Sequence, residues 1–457
     1  MQYADVLGNA IAARSEAVAK GIDDFVDGLL SYETRAANIL AAAEAEPENT
    51  LANVYAAMLW MFLEAPDAAE RATPFLARAE MGAGHASRRA LLALAFTKAW
   101  AADDIPRAES IGAQINAEFP RDLVIAKLRQ YFAFNQGDHP AMLRIAEQVW
   151  GANQDVAQMH GMIAFAYEQC HLLGDAEAAA RRALDLKAKE PWAQHALAHV
   201  MLTQGRIDEG ARFLEAARAS WTDLNSFMLT HNHWHLGLFY LSQGRFDEAV
   251  GLYDSAIWGA DKSYSQDQIG AVSYLARLEL AGADVGDRWG DLADHLAARA
   301  HDAVQPFLSL QYLYGLARAA RPEADALLAS IRQTPETAPP YARKAWSDVA
   351  LPAAEGLVAY ARDLFGVAVE QLGKALPRLT EIGGSHAQRD LFEQIHLDAL
   401  IRAGENIAAQ QALELRRRYD PNGFPLNTAL ADIYGKLGLP KEASRAAARA
   451  AATRAAH

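Results

Sequence analysis

Cysteine is almost missing: Cys170 is the only one in 457 residues. That excludes an intrachain disulfide and any zinc site built on several thiolates, and it suits a reducing compartment. Long apolar runs are missing too. No stretch reaches the roughly 20 apolar residues that a membrane-spanning helix needs, and the opening MQYADVLGNAIAARSEAVAKG has no basic segment followed by a continuous apolar one. A soluble, cytoplasmic protein is expected. Positive charge is in deficit, with 43 basic against 57 acidic side chains and a net charge of -14. A field of that sign repels phosphate backbones and anionic headgroups, so nucleic acid and membrane surfaces are poor partners. The chain also lacks a phosphate loop, a Gly-x-Ser-x-Gly elbow, a dinucleotide fingerprint and a paired-cysteine motif. No organic cofactor is expected.

Strand signals are scarce as well, because β-branched alternation is rare. Ala, Leu, Glu and Arg recur instead at three- and four-residue intervals almost from end to end, and 51% hydrophobic residues supply a core. The chain reads as all-α. Short loops punctuated by Gly137, Gly174, Gly205, Gly244, Gly404 and Gly438 each separate two amphipathic segments.

The clearest unit, HWHLGLFYLSQGRFDEAVGLYDSAI from His233, has the tetratricopeptide pattern. Leu236 and Gly237 mark the point of close helix contact, Tyr240 lies one turn on, Gly244 ends the first helix and Ala249 is the small contact on the second. Leu197 and Ala198 with Gly205 and Gly210, and Leu430 and Ala431 with Tyr434, Gly438 and Ala443, repeat the logic less strictly. The spacing is uneven, so the array is degenerate. Such pairs cannot bury their apolar stripes alone and stack on their neighbours. The expected fold is one α-solenoid over residues 1–457, a right-handed superhelix of tetratricopeptide-like helix pairs with a concave inner face. Pro335, Pro339 and Pro340 make the stretch 332–340 the expected boundary between an amino-terminal lobe, 1–331, and a carboxy-terminal lobe, 341–457.

Three segments carry a further likeness. His195 and His199 form a pair on one helix, and His231, Trp234 and His235 sit on a later one, followed by Tyr253 and Asp254. Gly383, Gly384, Ser385, Gln388, Arg389 and Asp390 lie near the carboxy end. In these motifs the chain resembles the tetratricopeptide repeat protein 38 family over most of its length. The resemblance implies the helical repeat fold and brings no settled activity with it.

The histidines can be placed by angle. Setting residues about 100° apart, with His233 and Gln194 as zero on the stripe that meets the partner helix, puts His195, His199, His231 and His235 between about 100° and 200°. All four point away from their own partner helix and can converge, whereas His233 falls on the packing stripe and reads as structural. Three interpretations of the cluster stay open. The rings can form a polar seam, hydrogen-bonded to carboxylates and carbonyls. They can hold a divalent metal with Asp254 or Glu168, although Ala196 stands where a His-Glu-x-x-His zinc motif has glutamate, so metal is not favoured. They can also form a metal-free site in which one imidazole is acid or base, tuned by Asp254.

The Gly383 segment has two faces. Ser385 and Gln388 match a capping box and Asp390 suits a first helical turn, so capping alone accounts for them. Arg389 beside a helix amino terminus is a possible carboxylate or phosphate site. The expected function is therefore a solenoid that binds a small polar or anionic ligand, or a peptide carboxylate, in a histidine-lined concave pocket. Its expected contacts are His195, His199, Trp234, Tyr253, Ser385, Gln388, Arg389, Asp390 and Glu168. The alternatives are a hydrolase or lyase with His231 or His235 as general acid or base, oriented by Asp254, and a pure protein-interaction scaffold. Self-association is possible, since helical-repeat faces often pair.

Overall fold

The computed structural model describes residues 2–457, and helices account for most of them. Contacts divide the chain into two compact units. The first takes the chain to Leu197 together with Ser220–Met228, and the second comprises Ala198–Ala219 and Leu229–His457. The stretch 332–340, expected as a lobe boundary, lies inside the second unit. Pro335 sits within a helix that runs on only to Thr337, so little helix follows the backbone bond that proline cannot make.

The first unit opens on a feature that the periodicity gave no sign of, an antiparallel hairpin of β1 (Gln2–Ala4) and β2 (Ala10–Ala12). Strands of three residues are too short to show a period of two. The Asp5 carboxylate accepts from the amides of Leu7 and Asn9 and so fixes the turn. Then come α1 (Glu16–Ser31), α2 (Asn38–Ala45), α3 (Thr50–Met61), α4 (Ala68–Met81) and α5 (Arg88–Ala101). They are followed by α6 (Ile105–Glu118), α7 (Leu123–Asn135), α8 (His139–Trp150), α9 (Ala157–Gln169) and α10 (Leu173–Leu186). Starts are written in the sequence: Asn49, Ser87, Asp104, Asp122 and Asp138 each accept from an amide in the first turn of the helix that follows. The helices pack as hairpins, α3 with α4, α5 with α6, α7 with α8 and α9 with α10.

The unit division falls within α11 (Pro191–Thr203), after Leu197. The second unit holds α12 (Ile207–Ala217), the part of α13 (Ser226–Gln243) from Leu229 onward, and α14 (Phe246–Leu252), which widens into a π-helical turn at Tyr253–Ile257. It continues through α15 (Ser265–Leu280), α16 (Arg288–Leu296), α17 (Pro306–Arg318) and α18 (Glu323–Thr337) to a second π-helical turn, Ala345–Ala350. There follow α19 (Leu351–Ala361), α20 (Phe365–Ala375), α21 (His386–Ala403), α22 (Asn406–Arg416), α23 (Phe424–Lys436) and α24 (Pro440–Ala456). The closing helix buries Ala446 against Leu430 and Ile433 of α23.

The tetratricopeptide-like contacts lie where the pattern put them. Gly237 of α13 faces the ring of Tyr274 on α15 so closely that a Cβ there would come within 2.2 Å of the hydroxyl. Gly244 ends α13 at φ +75°, a left-handed conformation that favours glycine. Ala249 is fully buried, and its carbonyl accepts from the Tyr274 hydroxyl. No described helix is long and apolar enough to cross a membrane.

Candidate functional site

Within the second unit, the parts of α11 and α13 that belong to it bring imidazoles together. His199 lies on α11, and His231 and His235 lie one turn apart on α13. The rings of His199 and His235 stand 4.5 Å apart between helices, and those of His231 and His235 stand 4.8 Å apart along α13. One nitrogen from each of the three lies within 4.8 Å of the others. All three side chains are buried, His231 being the most exposed at 8%. Burial disfavours the charged form, so His199 is pulled down to about 3, and so is His231, where proximity to His199 adds to the effect. Both are neutral rings at pH 7, each with one N–H and one lone pair.

Trp234 walls the cluster. It stacks on His231 with the planes 10° apart and meets His235 edge to face. The Arg277 guanidinium, on α15, lies 5.1 Å from the Trp234 ring. Burial lowers Arg277 to about 10, so it stays charged at neutral pH.

The Gly383 segment arrives at the same place. His386, the first residue of α21, sets its ring 5.3 Å from that of His199 and hydrogen-bonds with the Thr203 hydroxyl at 3.0 Å. Its neighbours hold α21 in position. Ser385 Oγ accepts from the Gln388 amide while Gln388 Oε1 accepts from the Ser385 amide, the expected capping box. Arg389 donates to the Gly384 carbonyl, and Arg277 donates to the Ala387 carbonyl at 2.7 Å, tying α15 to α21. Asp390 is taken by Arg416, with both oxygens engaged, and by Gln394. Ser385, Gln388, Arg389 and Asp390 thus have structural duties beside any other.

Asp254 does not sit with the histidines as an orienter. It is exposed, and both its oxygens accept from Arg288 at 2.7 and 2.8 Å. Its neighbour Tyr253 is buried, as expected of adjacent residues on a helical turn about 100° apart. His233 donates to the Leu229 carbonyl and is structural.

His195 belongs to the first unit, one turn before His199, and stacks on Trp192 at 4.4 Å. Glu168, buried on α9, accepts from Gln169. One further feature of this unit is absent from the residues that the sequence pattern singles out. Lys127 on α7 holds its ammonium 4.0 Å from the Tyr32 ring and 5.3 Å from that of Trp192. Burial pulls its amine down and pushes buried Glu190 up, and the opposite charges restrain both shifts. A lysine inside the apolar run LVIAKLRQYFAF was the available signal.

No family model matches the chain. It is similar to the human IFIT1 dimer with PPP-AAAA, at 14% identity and a TM-score of 0.42, covering 96% of this chain and 95% of that one. The human IFIT1 dimer with m7Gppp-AAAA gives 13% and 0.37, with 96% and 90% covered. Cut9 and Hcn1 in the APC/C hetero-tetramer give 13% and 0.36, with 96% and 94% covered.

Proposed function

We propose that this helical-repeat protein binds a small anion, a carboxylate or a phosphate, at His199, His231 and His235, with Trp234 as the wall of the site. The observation that carries this reading is the convergence of three ring nitrogens from two helices within 4.8 Å. Neutral imidazoles can each donate an N–H to an anion, and the charge of Arg277 beside Trp234 biases the site toward negative ligands. Burial of the three rings suits an ion or small molecule better than a peptide or an open interaction groove. The motifs in which the sequence resembles the tetratricopeptide repeat protein 38 family contain these same histidines. The lone Cys170 suits the cytoplasm.

General acid or base catalysis by the rings is less well supported. An imidazole held near 3, as His231 is, lies far from the pH at which proton transfer is efficient, and Asp254 is engaged elsewhere. The test is thermal stabilisation by sodium acetate and by inorganic phosphate, in wild type and in a His199→Gln/His235→Gln double variant. Both anions are expected to raise the wild-type Tm and to leave the double variant unmoved, with its helical circular dichroism retained. Equal shifts in both proteins would sink the reading, and collapse of the variant's fold would favour a purely structural seam.

A further inference from the structure

The imidazole trio offers more than N–H donors. We propose that His199, His231 and His235 together hold a divalent transition-metal ion of the zinc class, and that the anion of the proposed function occupies its open coordination position. This inference rests on the anion-site reading and changes its contacts: the converging nitrogens present lone pairs to the ion, and the anion meets the ion in place of their N–H groups.

Zinc takes imidazole nitrogen at about 2.0–2.1 Å, so tetrahedral ligands lie roughly 3.3 Å from one another. The three nitrogens lie within 4.8 Å of each other, so a displacement of about 1 Å or less for each separates them from that spacing. His231 and His235, at i and i+4 on α13, present both rings from one helical face, and His199 closes the triangle from α11.

Imidazole suits Zn, Cu, Ni and Fe and is a poor match for Mg or Ca, which require oxygen. A metal ligand must present a lone pair, which a neutral imidazole has at one of its two nitrogens. Three protein ligands leave a tetrahedral ion one position short, the pattern of sites that take water or substrate.

The surrounding charge decides what fills that position. Three neutral ligands leave the full dipositive charge uncompensated, Arg277 stands behind Trp234, and the carboxylate of Asp390 is committed to Arg416. Glu393, on the same helix, also lies 3.6 Å from Arg416. An anion at the open position supplies negative charge that neutral imidazoles do not. His386, its ring 5.3 Å from that of His199 and its Nε2 hydrogen-bonded with Thr203, is assigned a positioning role.

The test uses full-length protein without an affinity tag, stripped with a chelator and titrated with Zn²⁺ and with Co²⁺. Binding of one equivalent with tetrahedral cobalt absorption is expected, weakened about a hundredfold in His199→Gln and in His235→Gln and unchanged in His301→Gln, an exposed ring that contacts Ser330 and is outside the trio. X-ray absorption of the wild-type zinc complex, which needs no variant to fold, is expected to count three imidazoles around the ion. Absence of binding, binding indifferent to these substitutions, or a shell with fewer than three imidazoles overturns the proposal. Acetate stabilisation that persists in chelator while zinc fails to bind would overturn the metal and spare the anion site. Failure of both anion and metal would end both readings.

Discussion

Acidifying the metal-free protein from about pH 7 to about pH 4.5 is expected to remove on the order of 5 kcal/mol of stability through His199 and His231 alone. Burial holds both rings at about 3 in the folded protein, against about 6.5 in an unfolded chain. Between those values the unfolded chain binds one proton per ring that the folded chain does not. Stability therefore falls as pH falls below about 6.5, by about 1.4 kcal/mol per pH unit for each ring, and levels off only near 3. Denaturant unfolding at a series of pH values, with chelator present, measures the slope. The difference between wild type and His199→Gln isolates this ring, because other acids titrate in both proteins and cancel. A shallower slope in the variant is expected, and parallel curves would show that His199 is not buried as a neutral ring.

Replacing Gly237 by alanine is expected to destabilise the second unit by about 3 kcal/mol. The added Cβ would lie 2.2 Å from the Tyr274 hydroxyl and 2.4 Å from its ring. That ring is fully buried and its hydroxyl is tied to the Ala249 carbonyl. It cannot retreat without breaking that bond and opening space behind it. Alanine is the better helix former by about 1 kcal/mol, which offsets part of the loss. Gly270 on α15 provides the contrast, since a Cβ there meets nothing within 4 Å. Gly270→Ala is expected to gain roughly 0.5–1 kcal/mol, so the two variants should move the Tm in opposite directions. Equal effects would mean that α13 and α15 are not in close contact at Gly237.

The helix pairs were legible because their signals are local. Capping residues mark starts, Gly244 marks an end, and the stripe of Leu236, Gly237 and Tyr240 marks the face that meets the next helix. The same rule of about 100° per residue put His199, His231 and His235 on one side and His233 on the other, since angle within a straight helix survives into the structure. His386 was not legible as a neighbour of His199. The contact joins residues 199 and 386 and depends on how every intervening helix stacks, which no local pattern encodes. Asp254 was misplaced for a different reason. It entered through its place in a motif, with no angle of its own, and the first residues of the π-helical turn bury Tyr253 and turn Asp254 outward to Arg288. The hairpin at residues 2–12 escaped because two strands of three residues are too short for a period of two to appear.

Long-range proton–nitrogen NMR on protein labelled with ¹⁵N only in histidine bears most directly on the claim that His199, His231 and His235 form one ligand site. At about pH 7 the account predicts neutral rings at His199 and His231. It further predicts that one equivalent of Zn²⁺ shifts one nitrogen in each of the three, leaving His301 and His457 still, and that acetate then perturbs the same three. Charged rings at His199 and His231, or three rings that respond to neither zinc, acetate nor phosphate, would contradict it.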